Sequence, residues 1–115
     1  MIFSFKQGTE VEVLTSGLLL GLLGLAHIME TTLGAKVLTI TSVNDGVHKT
    51  GSLHYNGNAV DIRSKTFEHS LVEKAVSPFR ASPDGSRYDL LFEAPGTPNE
   101  HLHLEYDPKH ENSGG

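Results

Sequence analysis

The chain has 115 residues, of which 37% are apolar and 20% charged, a composition typical of one soluble domain and not of a disordered chain. Its net charge of −5, with seven histidines counted as neutral, argues against nucleic acid as a partner, because no excess of Lys and Arg is present to neutralise phosphates. Since the chain has no cysteine, any metal must be held by His, Asp and Glu, which excludes thiolate-type structural zinc sites.

The first third of the sequence predicts an extended entry followed by a long helix. Residues Ile2–Phe5 would form a short strand or a simple extended segment. Over residues 10–32 apolar side chains recur at three- and four-residue steps, which is helical spacing, with Thr9 as the N-cap and Gly34 as the C-terminal stop. Three glycines on this helix would let a sheet approach closely: Gly17, Gly21 and Gly24.

An apolar run at residues 18–25 of this helix could be mistaken for a membrane segment. It contains two glycines, has acidic residues on both sides and is too short to span a bilayer. No basic segment lies directly before it and no clean cleavage site follows, which argues against a signal peptide. We therefore expect it to be the buried helix of the domain, and we expect no membrane partner.

The remaining pattern predicts four strands and a second helix. The strands are expected at residues 37–41, Ala59–Arg63, 88–92 and His101–Tyr106. The second helix is expected over residues 66–77, ended by Pro78. Together these elements predict an α+β fold, a single domain over residues 1–107 with a small, mainly antiparallel sheet packed against two helices, and a polar C-terminal tail at 108–115.

A first polar cluster lies on either side of a predicted turn. Asn56-Gly57 would reverse the chain and bring His54 toward Asp61. On the following strand Ala59 and Asp61 share a face, and the small side chain of Ala59 leaves room for an ion.

A second polar cluster lies on the last predicted strand. Strand alternation places His101, His103 and Glu105 on an outer face, whereas the intervening apolar residues face the helices. Two imidazoles and one carboxylate, with a position left for water, are a typical catalytic zinc site. Glu100, three residues before His103, is the candidate general base. His101 would line the cleft as a supporting or substrate-binding group, or would be a solvated strand residue.

The two clusters together resemble the signature of the M15-type zinc peptidases, which include D-Ala-D-Ala carboxypeptidases and dipeptidases and phage L-alanyl-D-glutamate endolysins. The residues that carry the resemblance are Ser52-x-His54-x2-Gly57-x-Ala59-x-Asp61 and Glu100-x2-His103. The resemblance implies that His54, Asp61 and His103 bind one zinc ion and that Glu100 is the base.

A second resemblance, over residues 44–62, is to the signalling domain of hedgehog proteins, which shares the zinc peptidase fold. The matching residues are Asn44-Asp45-Gly46-Val47-His48 and Ser52-Leu53-His54-Tyr55-Asn56-Gly57-Asn58-Ala59-Val60-Asp61-Ile62. This resemblance implies that His48 points into the zinc site and helps to stabilise the oxyanion. It also raises Glu93 as a rival base and a calcium ion near Asp45, although few carboxylates lie near Asp45.

The sequence departs from the peptidase pattern in one respect. Many of these peptidases carry an arginine upstream of the first ligand, whereas this chain has no arginine before Arg63. His48, Lys49 or Arg63 would have to take its place.

These resemblances imply a zinc metallopeptidase that hydrolyses an amide bond in peptidoglycan stem peptides, with water on the zinc activated by Glu100. The chain would be a monomer, made in the cytoplasm of a bacterium or phage-infected cell and acting at the cell wall. The alternative is a zinc-stabilised, catalytically inactive binding module of hedgehog type, and a third reading is an unrelated α+β domain.

Overall fold

A computed structural model of the chain describes residues 1–9, 11, 14–43, 58–81 and 87–106. The elements in chain order are β1 (Ile2–Phe5), α1 (Ser16–Leu33), β2 (Val37–Ser42), β3 (Ala59–Arg63), α2 (His69–Ala81), β4 (Tyr88–Glu93) and β5 (His101–Tyr106). The predicted tail at residues 108–115 lies outside the described residues, as do the turn and loop between β2 and β3 at residues 44–57.

The five strands form one sheet in the order β1-β2-β3-β5-β4. β1 pairs with β2 in parallel, whereas the three other pairings are antiparallel. Two parallel neighbours need a crossover connection, and α1 supplies it. The predicted α+β single domain with two helices is therefore confirmed, and the sheet is mixed, with its parallel pair at one edge.

One face of the sheet packs against both helices. The alternation predicted for β5 holds for Leu102, Leu104 and Tyr106, which are buried, and for His101 and Glu105, which are half-buried, whereas His103 is buried although it was expected on the outer face. The main core residues from the other elements are Leu18, Leu22, Leu25 and Met29 of α1, Leu38 and Ile40 of β2, Val60 and Ile62 of β3, Val72, Ala75, Val76 and Phe79 of α2, and Leu90 of β4. The opposite face of the sheet carries polar side chains, among them Asp61, His101 and Glu105.

Helix α1 begins later than the apolar spacing predicts. Its N-cap is Thr15 and not Thr9, and the Thr15 hydroxyl accepts a hydrogen bond from the Leu18 N–H at 3.3 Å. The same hydroxyl donates to Asn58 Oδ1 at 2.6 Å, which ties the start of α1 to the start of β3. Gly34 ends the helix in the left-handed conformation, with φ 69°, as predicted.

The predicted close approach of the sheet to α1 occurs at two of the three glycines. A Cβ at Gly17 would overlap the Tyr106 ring, and a Cβ at Gly21 would overlap the Tyr88 ring. Gly24 faces open space.

By length and composition alone, α1 as a whole, which is longer than the apolar run at residues 18–25, is long and apolar enough to cross a membrane. The core helix of a soluble protein and an N-terminal signal sequence pass the same test. In this fold the helix buries six residues, namely Leu18, Gly21, Leu22, Leu25, Ala26 and Met29.

Helix α2 does not end at Pro78 but continues to Ala81 with the proline inside it. Because proline has no N–H, the helix lacks the hydrogen bond that residue 78 would otherwise donate to the Lys74 carbonyl oxygen. The packing of this last turn favours its helical form, since Phe79 is buried and the Arg80 guanidinium donates to the Leu90 carbonyl.

Candidate metal centre

The strand register brings polar side chains together on the sheet face that is turned away from the helices. Across β3 and β5, Asp61 lies opposite His103 and Arg63 lies opposite His101. Across β5 and β4, His101 lies opposite Glu93. Residues that lie opposite each other on neighbouring strands share a face, so these five side chains form one polar surface.

Asp61, His101 and His103 form a group that could hold a metal ion, since one ligand atom from each lies within 4.8 Å of the others. Asp61 Oδ1 is 2.7 Å from His103 Nδ1 and 3.7 Å from His101 Nε2. Tetrahedral zinc with bonds of about 2.0 Å requires donor atoms about 3.3 Å apart, and these two distances lie on either side of that value. One oxygen and two imidazole nitrogens are also donors that zinc accepts.

Each imidazole of the group is oriented by a second hydrogen bond. His101 Nδ1 lies 2.7 Å from the Asn99 carbonyl oxygen and donates its hydrogen there, which leaves Nε2 as the nitrogen that faces Asp61. His103 Nε2 lies 2.6 Å from Glu105 Oε1, which leaves Nδ1 as the nitrogen that faces Asp61. This carboxylate–histidine–metal order is a common support for metal ligands.

Without a metal, His103 holds a proton between two carboxylates. Burial alone would lower the pKa of its imidazole, but the hydrogen bonds and negative charges of Asp61 and Glu105 outweigh burial and raise the pKa to about 9. A metal that binds at Nδ1 must displace this proton.

Glu93 is a further carboxylate that contacts both imidazoles of the group. Its Oε1 lies 3.7 Å from His101 Nε2 and 3.9 Å from His103 Nδ1, and the side chain is 44% exposed. Its carboxylate is therefore accessible to solvent and within 4 Å of both imidazoles.

Glu100, the base predicted from spacing, makes its described contacts with residues outside the candidate metal group. Its carboxylate accepts hydrogen bonds from Ser64 Oγ at 2.8 Å and from the Gly96 N–H at 3.0 Å, and it forms an ion pair with His69. The Gly96 hydrogen bond does most to lower the pKa of Glu100; burial opposes this, and Ser64 and His69 add to the lowering. Glu100 thus anchors the β4–β5 loop to β3 and α2, and no described contact joins it to Asp61, His101 or His103.

Glu100 lies immediately before β5, which begins at His101, and it lines the same cleft as Asp61 and His101. Its hydrogen bonds with Ser64 and Gly96 and its ion pair with His69 nevertheless engage its carboxylate in support of the fold.

The two other predicted site residues, His48 and His54, lie outside the described residues, as does Asp45. The structure brings together Asp61 and His103 of the predicted zinc ligands and adds His101 as the third member of the group. We did not predict that Glu105 and Asn99 would orient the two imidazoles. The sequence signal for Glu105 was its position on the same face of β5 as His101 and His103.

Comparisons of the chain with protein-family models, with curated proteins and with solved structures found no match. The resemblance to zinc peptidases and to hedgehog domains therefore depends on the sequence motifs alone.

Proposed function

We propose that this chain is a zinc-dependent peptidase that hydrolyses an amide bond in peptidoglycan stem peptides. The observation that carries the proposal is the position of Glu93 within 3.9 Å of the two imidazoles of a group that could hold a metal ion. The substrate class comes from the resemblance of the motifs to peptidases of the cell wall.

Zinc in such a site supplies Lewis-acid chemistry, in which it polarises the amide carbonyl and makes water a better nucleophile. Asp61 and His103 hold the ion in this proposal, together with one further imidazole. His101 is the imidazole that already lies beside them, and His54 is the one that the peptidase motif supplies. Comparing the zinc affinity of His101→Ala and His54→Ala identifies the third ligand, because loss of a ligand should weaken zinc binding more than loss of a group that only orients a ligand.

Glu93 acts as the general base and acid in this proposal. Its carboxylate takes a proton from the attacking water as the water oxygen bonds to the amide carbon. The same proton then passes to the leaving nitrogen as the carbon–nitrogen bond breaks. His48 remains the predicted group that stabilises the oxyanion.

We expect Glu93→Gln to lower kcat by about 10²- to 10⁴-fold, the usual contribution of a general base, with zinc content and melting temperature unchanged. The assay is the digestion of purified muropeptides followed by mass analysis of the products, which also identifies the bond that is cleaved.

Glu100→Gln is the matched control, because it makes the same change in a carboxylate that supports the fold. We expect it to lower the free energy of unfolding by about 1–3 kcal/mol, since the Ser64 and Gly96 donors lose an ionised acceptor, and to leave kcat of the folded protein near that of the wild type. The opposite result, an inactive but stable Glu100→Gln with an active Glu93→Gln, would restore Glu100 as the base.

The same assays decide against the alternative function. A hedgehog-type binding module would bind zinc, melt at a lower temperature after chelation and cleave no peptide. Zinc-dependent cleavage that is lost in Glu93→Gln would exclude this alternative.

A further inference from the structure

Helix α1 turns a stripe of apolar side chains toward solvent. Leu20, Leu23, Gly24, His27 and Thr31 are all exposed and recur at three- and four-residue steps, so they lie on one face of the helix. The two leucines are 67% and 55% exposed. Residues 16–29 include no Asp, Glu, Lys or Arg. Leucines gathered on one uncharged face mark a surface that binds a partner, whereas leucines scattered singly over a surface do not.

An apolar groove of about 230 Å³ lies beside this α1 stripe. Its wall on α1 includes Leu20, Gly24 and Ile28, and its opposite wall is formed by Phe79, Arg87 and Tyr88. Gly24 leaves the groove open, since a Cβ there would meet no atom within 4 Å. Leu23, immediately before Gly24, projects from the helix toward solvent. A projecting leucine and a hollow therefore lie side by side.

A projection beside a hollow is self-complementary under two-fold symmetry. If two copies of α1 cross antiparallel between residues 23 and 24, Leu23 of each copy enters the hollow at Gly24 of the other. The stripe has the spacing that such a contact needs, because Leu20, Leu23, His27 and Glu30 follow one another at steps of three, four and three residues. Helices that pack through a seam of this kind cross at about 20° and stay close along their length.

The charges at the two ends of α1 favour the antiparallel direction. Glu30 lies in the last turn, whereas the first turn has no acidic residue and the last turn no basic residue. The helix dipole makes the first turn positive and the last turn negative, so antiparallel packing brings the Glu30 carboxylate of each copy beside the positive first turn of the other. This carboxylate contacts the Met1 amino group at 3.0 Å but is 46% exposed, so a second copy can reach it.

We propose that the α1 stripe and its groove bind a second copy of this chain, which gives a two-fold dimer built on antiparallel α1 helices. A lipid surface is less complementary, because helices that lie on membranes carry Lys and Arg on their polar face and α1 carries neither. The 18 residues of α1 span about 27 Å, so the contact lies at the small end of specific interfaces and its dissociation constant should be micromolar.

The dimer does not involve the candidate metal centre. Both helices cover one face of the sheet, whereas Asp61 and His101 lie on the other face, so dimerisation leaves the metal centre accessible. The inference therefore goes beyond the proposed peptidase function and does not depend on it.

Sedimentation equilibrium at protein concentrations from about 1 to 200 µM tests the dimer. We expect the mean mass of the wild type to rise from 12.5 kDa toward twice that value. Leu23→Glu should stay monomeric because it places two carboxylates at the centre of the contact, and Gly24→Gln should do so because its side chain fills the hollow. Both positions are exposed, so both variants should keep the melting temperature of the monomer. Leu91→Glu, at an exposed leucine on β4, is the matched control and should dimerise like the wild type.

An exchange of charges tests the antiparallel direction. Ser16→Glu and Glu30→Lys should each raise the dissociation constant of the dimer about 3- to 10-fold, because each brings like charges together at both ends of the contact. In the double variant a carboxylate again faces an ammonium group, so the dissociation constant should return toward that of the wild type. Positions 16 and 30 are about 21 Å apart within one helix, so only a second copy can supply this rescue.

A wild type that stays at 12.5 kDa over the whole concentration range, as expected of the monomer that the sequence predicts, would overturn the proposal. Dimerisation of Leu23→Glu and Gly24→Gln at wild-type strength, or no rescue in the double variant, would also contradict it. Flotation with vesicles of neutral and anionic phospholipids tests the other occupant. Binding of monomers to these vesicles, lost in Leu23→Glu, would assign the α1 stripe to a lipid surface instead of a second copy.

Discussion

At the scale of single residues, the two carboxylates on either side of His103 determine which ring nitrogen of this imidazole is available to bind a metal. Glu105 binds Nε2 at 2.6 Å and Asp61 lies 2.7 Å from Nδ1. As long as Glu105 accepts the Nε2 hydrogen, the tautomer with a lone pair on Nδ1 is the favoured neutral form. Glu105 is therefore a positioning residue that acts on the metal through His103.

We expect Glu105→Gln to weaken zinc binding about 10- to 100-fold, the usual effect of removing a group that orients a metal ligand. The measurement is zinc competition against a chelating dye in the purified protein, which does not depend on activity. Glu73→Gln, an exposed glutamate on α2, serves as the control for the loss of one negative charge. An unchanged dissociation constant in Glu105→Gln would show that His103 keeps its orientation without this partner.

At the scale of elements, the contact between α1 and the sheet depends on two glycines and two tyrosine rings. The Tyr88 ring lies where a side chain at Gly21 would be, and its hydroxyl donates to the Gly17 carbonyl oxygen at 2.6 Å. The ring also lies against Phe79 and Tyr106, at centroid distances of 5.8 and 5.4 Å. It is therefore confined on several sides and has little room to move for an added methyl group.

Two alanine substitutions in α1 should have opposite effects on the free energy of unfolding. We expect Gly21→Ala to lower it by about 1–3 kcal/mol, because the methyl group overpacks against Tyr88. Gly24→Ala should raise it by about 0.5–1 kcal/mol, because Gly24 faces open space and alanine restricts the unfolded chain and favours the helix. Urea denaturation of the two variants measures both values, and a shift of the same sign in both would contradict the packing described here.

Helix α2 begins at His69 and not at residue 66 as predicted. The two other errors in helix boundaries, at the start of α1 and the end of α2, have a common cause at this scale. Apolar spacing continues before Ser16 and predicts helix there, but the hydroxyl of Thr9 lies 3.4 Å from the Thr41 carbonyl oxygen of β2, and Thr15 takes the capping position. At the other helix, Pro78 predicts a stop that the packing of Phe79 overrides. In both cases a contact with a distant element decides where the helix begins or ends.

At the scale of the whole molecule, the stability of the metal-free fold is coupled to pH through His103. Its pKa of about 9 in the folded protein lies above the value of about 6.5 for an unfolded histidine. The folded state therefore binds the proton more tightly, so this contribution to stability is complete below pH 6.5 and is lost as the pH rises through about 9.

We expect the free energy of unfolding of the chelator-treated protein to fall between pH 6.5 and 9.5. Zinc affinity should rise over the same range, because the metal displaces the His103 proton. Chemical denaturation at a series of pH values measures the first effect, with His103→Gln as the control. An equally steep decline in that variant would assign the pH dependence to other groups.

The sequence by itself determined the local elements and the chemistry available to the site. Apolar spacing and β-branched runs predicted both helices and the strands, and strand alternation predicted which side chains of β5 face away from the core, because these properties depend on neighbouring residues alone. The motifs that contain Asp61 and His103 also predicted a metal site, but these two residues meet only through the β3–β5 register.

Only the tertiary structure decided which carboxylate lies beside the group that could hold a metal ion, Asp61, His101 and His103, and which carboxylate supports the fold. Glu93 and Glu100 are both acidic and both lie near the start of β5, but the β4–β5 register places Glu93 opposite His101, whereas Ser64, Gly96 and His69 hold Glu100. Strand order and register join residues that are far apart in the chain, and no local pattern in the sequence specifies those pairings.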